Sequence, residues 1–107
     1  MSKEIKYVSQ KTFNLLVGVN GGKLSYDFYL PDYNILIEFQ GIQHEQPIDF
    51  NRKGLENAKE NFKKQQEHDK RKRKYAKDHN IELLEIWYYD FDNIDEILSN
   101  FLFKKSA

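Results

Sequence analysis

"SYDFYLPDYNILIEFQGIQH", residues 25–44, contains two strand patterns around a turn, and it carries acids where a small domain normally places apolar side chains. "LSYDFYL" (24–30) alternates, with Leu24, Tyr26, Phe28 and Leu30 on one face and Ser25, Asp27 and Tyr29 on the other. "PDYN" (31–34) is a turn by its Pro, Asp and Asn. "ILIEFQ" (35–40) alternates again, Ile35, Ile37 and Phe39 against Leu36, Glu38 and Gln40. One charge in a strand is what a solvent-facing edge carries. A second acid on the adjoining strand, followed by Gly41 and His44, reads as a site.

Upstream, "IKYVSQKTF" (5–13) has the β-branched and aromatic content of a strand, and "VNGGK" (19–23) supplies the positive φ angles of a hairpin turn. The first three strands therefore form an antiparallel meander. Downstream, a polar loop runs through His44, Pro47 and Gly54, and a helix is expected from Leu55 to Asp78, where "HN" breaks it. "IELLEIWYY" (81–89) reads as a strand that returns after a crossover helix, and so as a parallel addition to the sheet. "DNIDEILSNFLF" (92–103) reads as an amphipathic helix with Ile94, Ile97, Leu98, Phe101 and Leu102 as its stripe and Asp92 or Asn93 as N-cap. With no repeat or linker, the reading is one α/β domain over residues 1–107 with a mixed sheet.

Apolar side chains make up 39% of the 107 residues and aromatics 15%, enough to build a single core. There is no cysteine, which excludes disulfides and thiolate metal sites and suits a reducing cytosol. No apolar run approaches the roughly 20 residues of a membrane span, and "MSKEIKYV" lacks a signal peptide's apolar stretch, so a soluble, cytoplasmic protein is expected. Net charge is zero, but Lys63, Lys64, Lys70, Arg71, Lys72, Arg73, Lys74 and Lys77 crowd into one helix. Such a run is either a polyanion-binding face or an ordinary solvated one.

At helical period, Leu55, Ala58, Phe62 and Ala76 define the inward stripe of that helix, and Asp69 falls on it. A buried lone carboxylate costs several kcal/mol unless something compensates it. The plain alternative is a pairing at the stripe's edge with Arg73, one turn on. Asp27 and Glu38 lie across a tight turn on neighbouring strands, where their repulsion would be relieved by a hard divalent cation, Mg²⁺ or Mn²⁺. Such a site suits phosphodiester hydrolysis. His44 is placed to take a proton from an attacking water, with Asp69 fixing its tautomer. His68 and His79 read as surface residues. The aromatic strand "IWYYDF" is either a base-stacking platform or, as a buried central strand, core packing.

"YDFYLPDYNILIEFQG" with the following "QH", and then "EHDKRKRKYAKDHNIELLEIWYYD", resembles the PD-(D/E)XK nuclease superfamily. Within it the chain is most similar to the branch of very-short-patch-repair endonucleases and phage-associated homing endonucleases described by an EDxHD motif. The resemblance covers roughly residues 5 to 98. It implies a restriction-endonuclease-like core and a Mg²⁺-dependent DNA endonuclease, with Mn²⁺ as substitute, in a bacterial, phage-encoded setting. Asp27 matches the metal-binding aspartate, and Glu38 and Gln40 match the E-x-K element, with Gln40 in place of lysine. The Phe39 main-chain carbonyl would complete the metal set, His44 matches the catalytic histidine and Asp69 the final aspartate. Lys63, Lys70, Arg71, Arg73, Lys74 and Lys77 would grip the phosphates of double-stranded DNA. The family's first glutamate belongs on a helix before the first strand, where this sequence offers only Glu4. The resemblance therefore implies a fragment without that helix or a DNA-recognition region.

Double-strand cleavage needs two active sites or two visits, which leaves room for a homodimer. Two other readings stand beside the nuclease: a catalytically impaired DNA-binding module of the same fold, and a protein-interaction domain whose acids are edge-strand charges.

Overall fold

A computed structural model describes residues 5–47 and 54–106. Glu4 and the loop segment 48–53 lie outside the described residues. The strands are β1 (Val8–Val17), β2 (Lys23–Leu30), β3 (Ile35–Gln40) and β4 (Glu82–Trp87); the helices are α1 (Leu55–Asp78) and α2 (Ile94–Ser106). They form an α/β domain with one mixed sheet in the order β1-β2-β3-β4, antiparallel at the first two junctions and parallel between β3 and β4. Among the described residues no helix is long and apolar enough to cross a membrane.

The sheet is covered on both faces. Leu30, Ile35, Ile37 and Ile86 pack with Leu102, and the α2 stripe Ile94, Ile97, Leu98 and Phe101 joins them. On the opposite face Leu16, Tyr26 and Leu36 pack with Ala76 of α1. β3 thus sends Ile35, Ile37 and Phe39 to α2 while Leu36, Glu38 and Gln40 turn toward α1, as its alternation requires. α1 ends where Asn80 takes a left-handed φ of 57°, and the Ile81 N–H closes onto the Ala76 carbonyl at 2.9 Å.

The structure corrects several expectations. Leu24, Tyr26, Phe28 and Leu30 do not share a face: Leu24 and Tyr26 pack on the α1 side, Phe28 and Leu30 on the α2 side. The phase changes at Asp27. Across from it, between the pairs Ser9↔Phe28 and Lys11↔Tyr26, Gln10 has a left-handed φ of 51°, with the register the same on both sides; the register of this pair shifts further on, between Thr12 and Val17.

The strand expected over 81–89 stops at Trp87, and Tyr88–Asn93 wind into a 3-10 turn that runs directly into α2. β4 is an edge strand and not a buried central one, and Tyr89 is 63% exposed. β1 reaches Val17, beyond its expected end, and Leu55 at the start of α1 is exposed rather than part of the inward stripe.

Candidate functional site

The β2–β3 ladder pairs Leu30 with Ile35, Tyr29 with Leu36 and Phe28 with Ile37, a register that brings Asp27 opposite Glu38. There the side chains take over from the backbone. The Asp27 N–H donates to Glu38 Oε1 at 2.9 Å, and the Phe39 N–H donates to Asp27 Oδ2 at 2.7 Å. Two carboxylates therefore replace main-chain carbonyls as acceptors where the pairing ends, and each is held to the opposite strand. The change of phase at Asp27 is what frees its side chain for this role.

Glu38 is only 3% exposed, and Lys72 of α1 meets its second oxygen, Oε2, at 3.0 Å. Burial pushes the Glu38 carboxyl above the ordinary carboxylate range, and the charge of Asp27 adds to this. The Lys72 ammonium works against the shift without cancelling it. The helix is fixed here from the sheet, since the fully buried Tyr26 donates its hydroxyl to the Lys72 carbonyl at 2.7 Å. Burial and the neighbouring Glu38 charge hold that phenol in its neutral form by raising its pKa.

A second group lies beside the first. His44, in the 3-10 turn Ile42–His44 after β3, meets Asp69 Oδ2 through Nδ1 at 2.9 Å, and Gln65 Nε2 donates to Asp69 Oδ1 at 3.0 Å. Asp69 is 4% exposed, so its buried charge is answered by an imidazole and an amide. The Arg73 alternative does not hold: Arg73 forks onto Glu85 of β4, with Nε and Nη2 at 3.0 and 2.8 Å from Oε1. With Nδ1–H given to a carboxylate, Nε2 is the imidazole's basic nitrogen.

Gln40, 1% exposed, donates through Nε2 to the same Glu85 at 2.7 Å. Its buried amide oxygen has no hydrogen-bond partner among the described residues. α1 thus gathers all three groups against the sheet: Asp69 with His44, Lys72 with Glu38, and Arg73 with Glu85 and Gln40.

The six bases proposed for phosphates fall into two sets. Arg71 pairs with Glu67 and also donates to the Val17 carbonyl, Arg73 pairs with Glu85, and Lys74 pairs with Asp78. Lys63, Lys70 and Lys77 are exposed and repeat every seven residues, about a third of a helical turn from the buried Ala58, Asp69 and Ala76. That stripe lies on a flank of the helix, off its buried line.

Lys72, Tyr26 and Glu85 have no site role in the sequence reading, which places Gln65 one turn before Asp69 on the buried face of α1, where it bonds that carboxylate. Lys72 had a legible signal, lying three residues after Asp69 and four before Ala76 on the inward face, but it was concealed in a basic run. His68 is more than a surface residue. Its Nε2 accepts the Val19 N–H at 3.1 Å, which docks the β1–β2 hairpin on α1, and a side chain at Gly18 would collide with that ring. Burial, then the charges of Lys64, Arg71 and Lys72, lower its pKa. His79 stacks on Tyr75 at 3.9 Å.

Among the described residues no group of three or more His, Asp or Glu side chains is arranged to hold a metal ion. The donor set present is instead two neighbouring carboxylates, each held by an N–H of the opposite strand, with an ammonium already stationed on one of them. That chemistry fits a Mg²⁺-type ion, which uses one or two carboxylates and completes its shell with carbonyl, water and substrate oxygens. Asp27, Glu38 and the Phe39 carbonyl are the groups that would hold it.

Compared with protein-family models, with curated proteins and with solved structures, the chain matches none.

Proposed function

We propose that the domain is a metal-dependent DNA endonuclease with a restriction-endonuclease-like core, of the homing or repair type its sequence resembles. The observation that carries this reading is the meeting of Asp27 and Glu38 at the end of the β2–β3 ladder, with α1 contributing both Lys72 to Glu38 and Asp69 to His44. A Mg²⁺ or Mn²⁺ ion held there would polarise a phosphoryl oxygen and lower the pKa of a bound water.

The chain's own groups do the rest. His44 Nε2 takes the proton of the attacking water, and Asp69 holds the ring in the tautomer that makes this nitrogen basic. Gln65 keeps Asp69 from rotating away. Gln40 cannot supply the positive charge of a lysine at its position, and Lys72 is the cation that reaches the site instead. Burial of Glu38 and Asp69 strengthens every charge interaction around them.

Nicking of supercoiled plasmid with Mg²⁺ or Mn²⁺ tests the reading, comparing the wild type with Asp27→Ala and His44→Ala. Nicking that disappears in the first variant and falls about 10²–10⁴-fold in the second supports it. Equal nicking by all three disposes of it. DNA binding without metal, with no cleavage at any metal concentration, would favour the impaired binding module instead.

A further inference from the structure

Resting on the nuclease reading, we infer that Lys72 is the resident cation of the site and competes with the divalent ion for Glu38. Both oxygens of this buried carboxylate are in use: Oε1 accepts the Asp27 N–H and Oε2 accepts Lys72 Nζ at 3.0 Å. A divalent ion bonded to Oε2 at about 2.0–2.1 Å would put a second cation on the oxygen the ammonium already holds. Two cations sharing one oxygen at that range repel, so one must leave.

The structure indicates which can move. Arg73 is fixed on Glu85 by a fork of two nitrogens and stays where it is. Lys72 touches Glu38 at a single point, through a flexible four-carbon stem whose ammonium lies 5.8 Å from the Tyr26 ring. Its backbone is pinned by the Tyr26 hydroxyl, so the ammonium can swing out while the helix stays in place.

The pairing also accounts for how two adjacent acids are held together, since the ammonium neutralises one of them. Once displaced, Lys72 has lost its carboxylate and requires another anion. A non-bridging oxygen of the phosphodiester is the one the reaction brings. Metal loading would thereby release the cation that receives the substrate.

Mn²⁺ affinity, measured by calorimetry or by the EPR signal of the free ion, separates this inference from the reading beneath it. The wild type, Lys72→Met, Lys72→Arg and Asp27→Asn are compared, each checked for folding by circular dichroism. Lys72→Met is expected to bind Mn²⁺ about tenfold more tightly, because the competing charge is gone. Lys72→Arg, able to fork onto Glu38, should bind it more weakly than the wild type. If Lys72→Met does not fold, Lys72→Gln carries the same expectation of tighter binding.

Affinity unchanged or weaker in the neutral variant, with binding still abolished in Asp27→Asn, would overturn the competition and leave the nuclease reading standing. A wild type whose Mn²⁺ binding does not depend on Asp27 at all would remove both.

Discussion

The two faces of the sheet share one central strand and are built from opposite chemistry. Toward α2, β3 offers Ile35, Ile37 and Phe39 to an apolar layer completed by Leu30, Ile86 and Leu102. Toward α1 it offers Leu36, Glu38 and Gln40, and the helix answers with Asp69, Lys72 and Arg73. The first face needs only volume and shape. The second needs each charge to find its partner, because an unmatched buried carboxylate costs several kcal/mol. A chain this small tolerates such a face because the opposite side of the same strand supplies the burial.

The largest effect should come from the apolar side. Ile37→Ala is expected to lower unfolding free energy by about 2–5 kcal/mol in urea titrations while leaving the Mn²⁺ affinity of the folded protein unchanged. A matching loss of affinity would show that the two faces are not separable. On the polar side Tyr26→Phe removes one buried hydroxyl and its hydrogen bond to the Lys72 carbonyl, for an expected cost of about 0.5–1.5 kcal/mol in the same titration.

Glu38→Gln should act in the opposite direction. The folded-state pKa of Glu38 is raised, so the folded protein keeps a proton that the unfolded chain gives up. Wild-type stability therefore falls as pH climbs from the ordinary carboxylate value of 4.5 through the raised value, and then levels off. The neutral variant escapes that fall. In metal-free buffer at pH 7 its melting temperature should lie a few degrees above the wild type, with plasmid nicking lost. A lower melting temperature would mean that the Lys72 pair outweighs burial.

The smallest effect concerns the hairpin latch. The folded-state pKa of His68 is lowered, so as pH drops below the ordinary 6.5 the unfolded chain takes up a proton that the folded one refuses. This contribution to stability is present above 6.5 and is lost as pH falls through the lowered value. His68→Gln, which can still accept the Val19 N–H, should flatten that part of the stability–pH curve. An unaltered slope would place the titration elsewhere.

Much of this was legible in sequence where local chemistry decides. The bounds of α1 follow from Gly54 and from the left-handed Asn80, and the faces of β3 follow from its own alternation. The juxtaposition of Asp27 with Glu38 follows from a four-residue turn. Tertiary structure decided the rest. The face change in β2 falls opposite the left-handed Gln10 of a different strand, and periodicity within 24–30 does not reveal it. Tyr88 and Tyr89 have strand composition, but one more β-residue would leave them at an open edge, and the chain turns toward α2 instead. Lys72 is obscured for an electrostatic reason: in the run of five consecutive basic side chains from Lys70 to Lys74, only helical phase distinguishes the one that enters the site.

In the proposed site, oxygens from residues 27, 38 and 39 converge on one cation. The most direct measurement is a crystal structure after a Mn²⁺ soak, with anomalous scattering used to locate the ion. The expected result is a single strong peak bound by the Asp27 and Glu38 carboxylates and the Phe39 carbonyl, with the Lys72 ammonium moved off Glu38 Oε2. A peak at other residues only, or none at saturating Mn²⁺ with the Lys72–Glu38 pair intact, would contradict it.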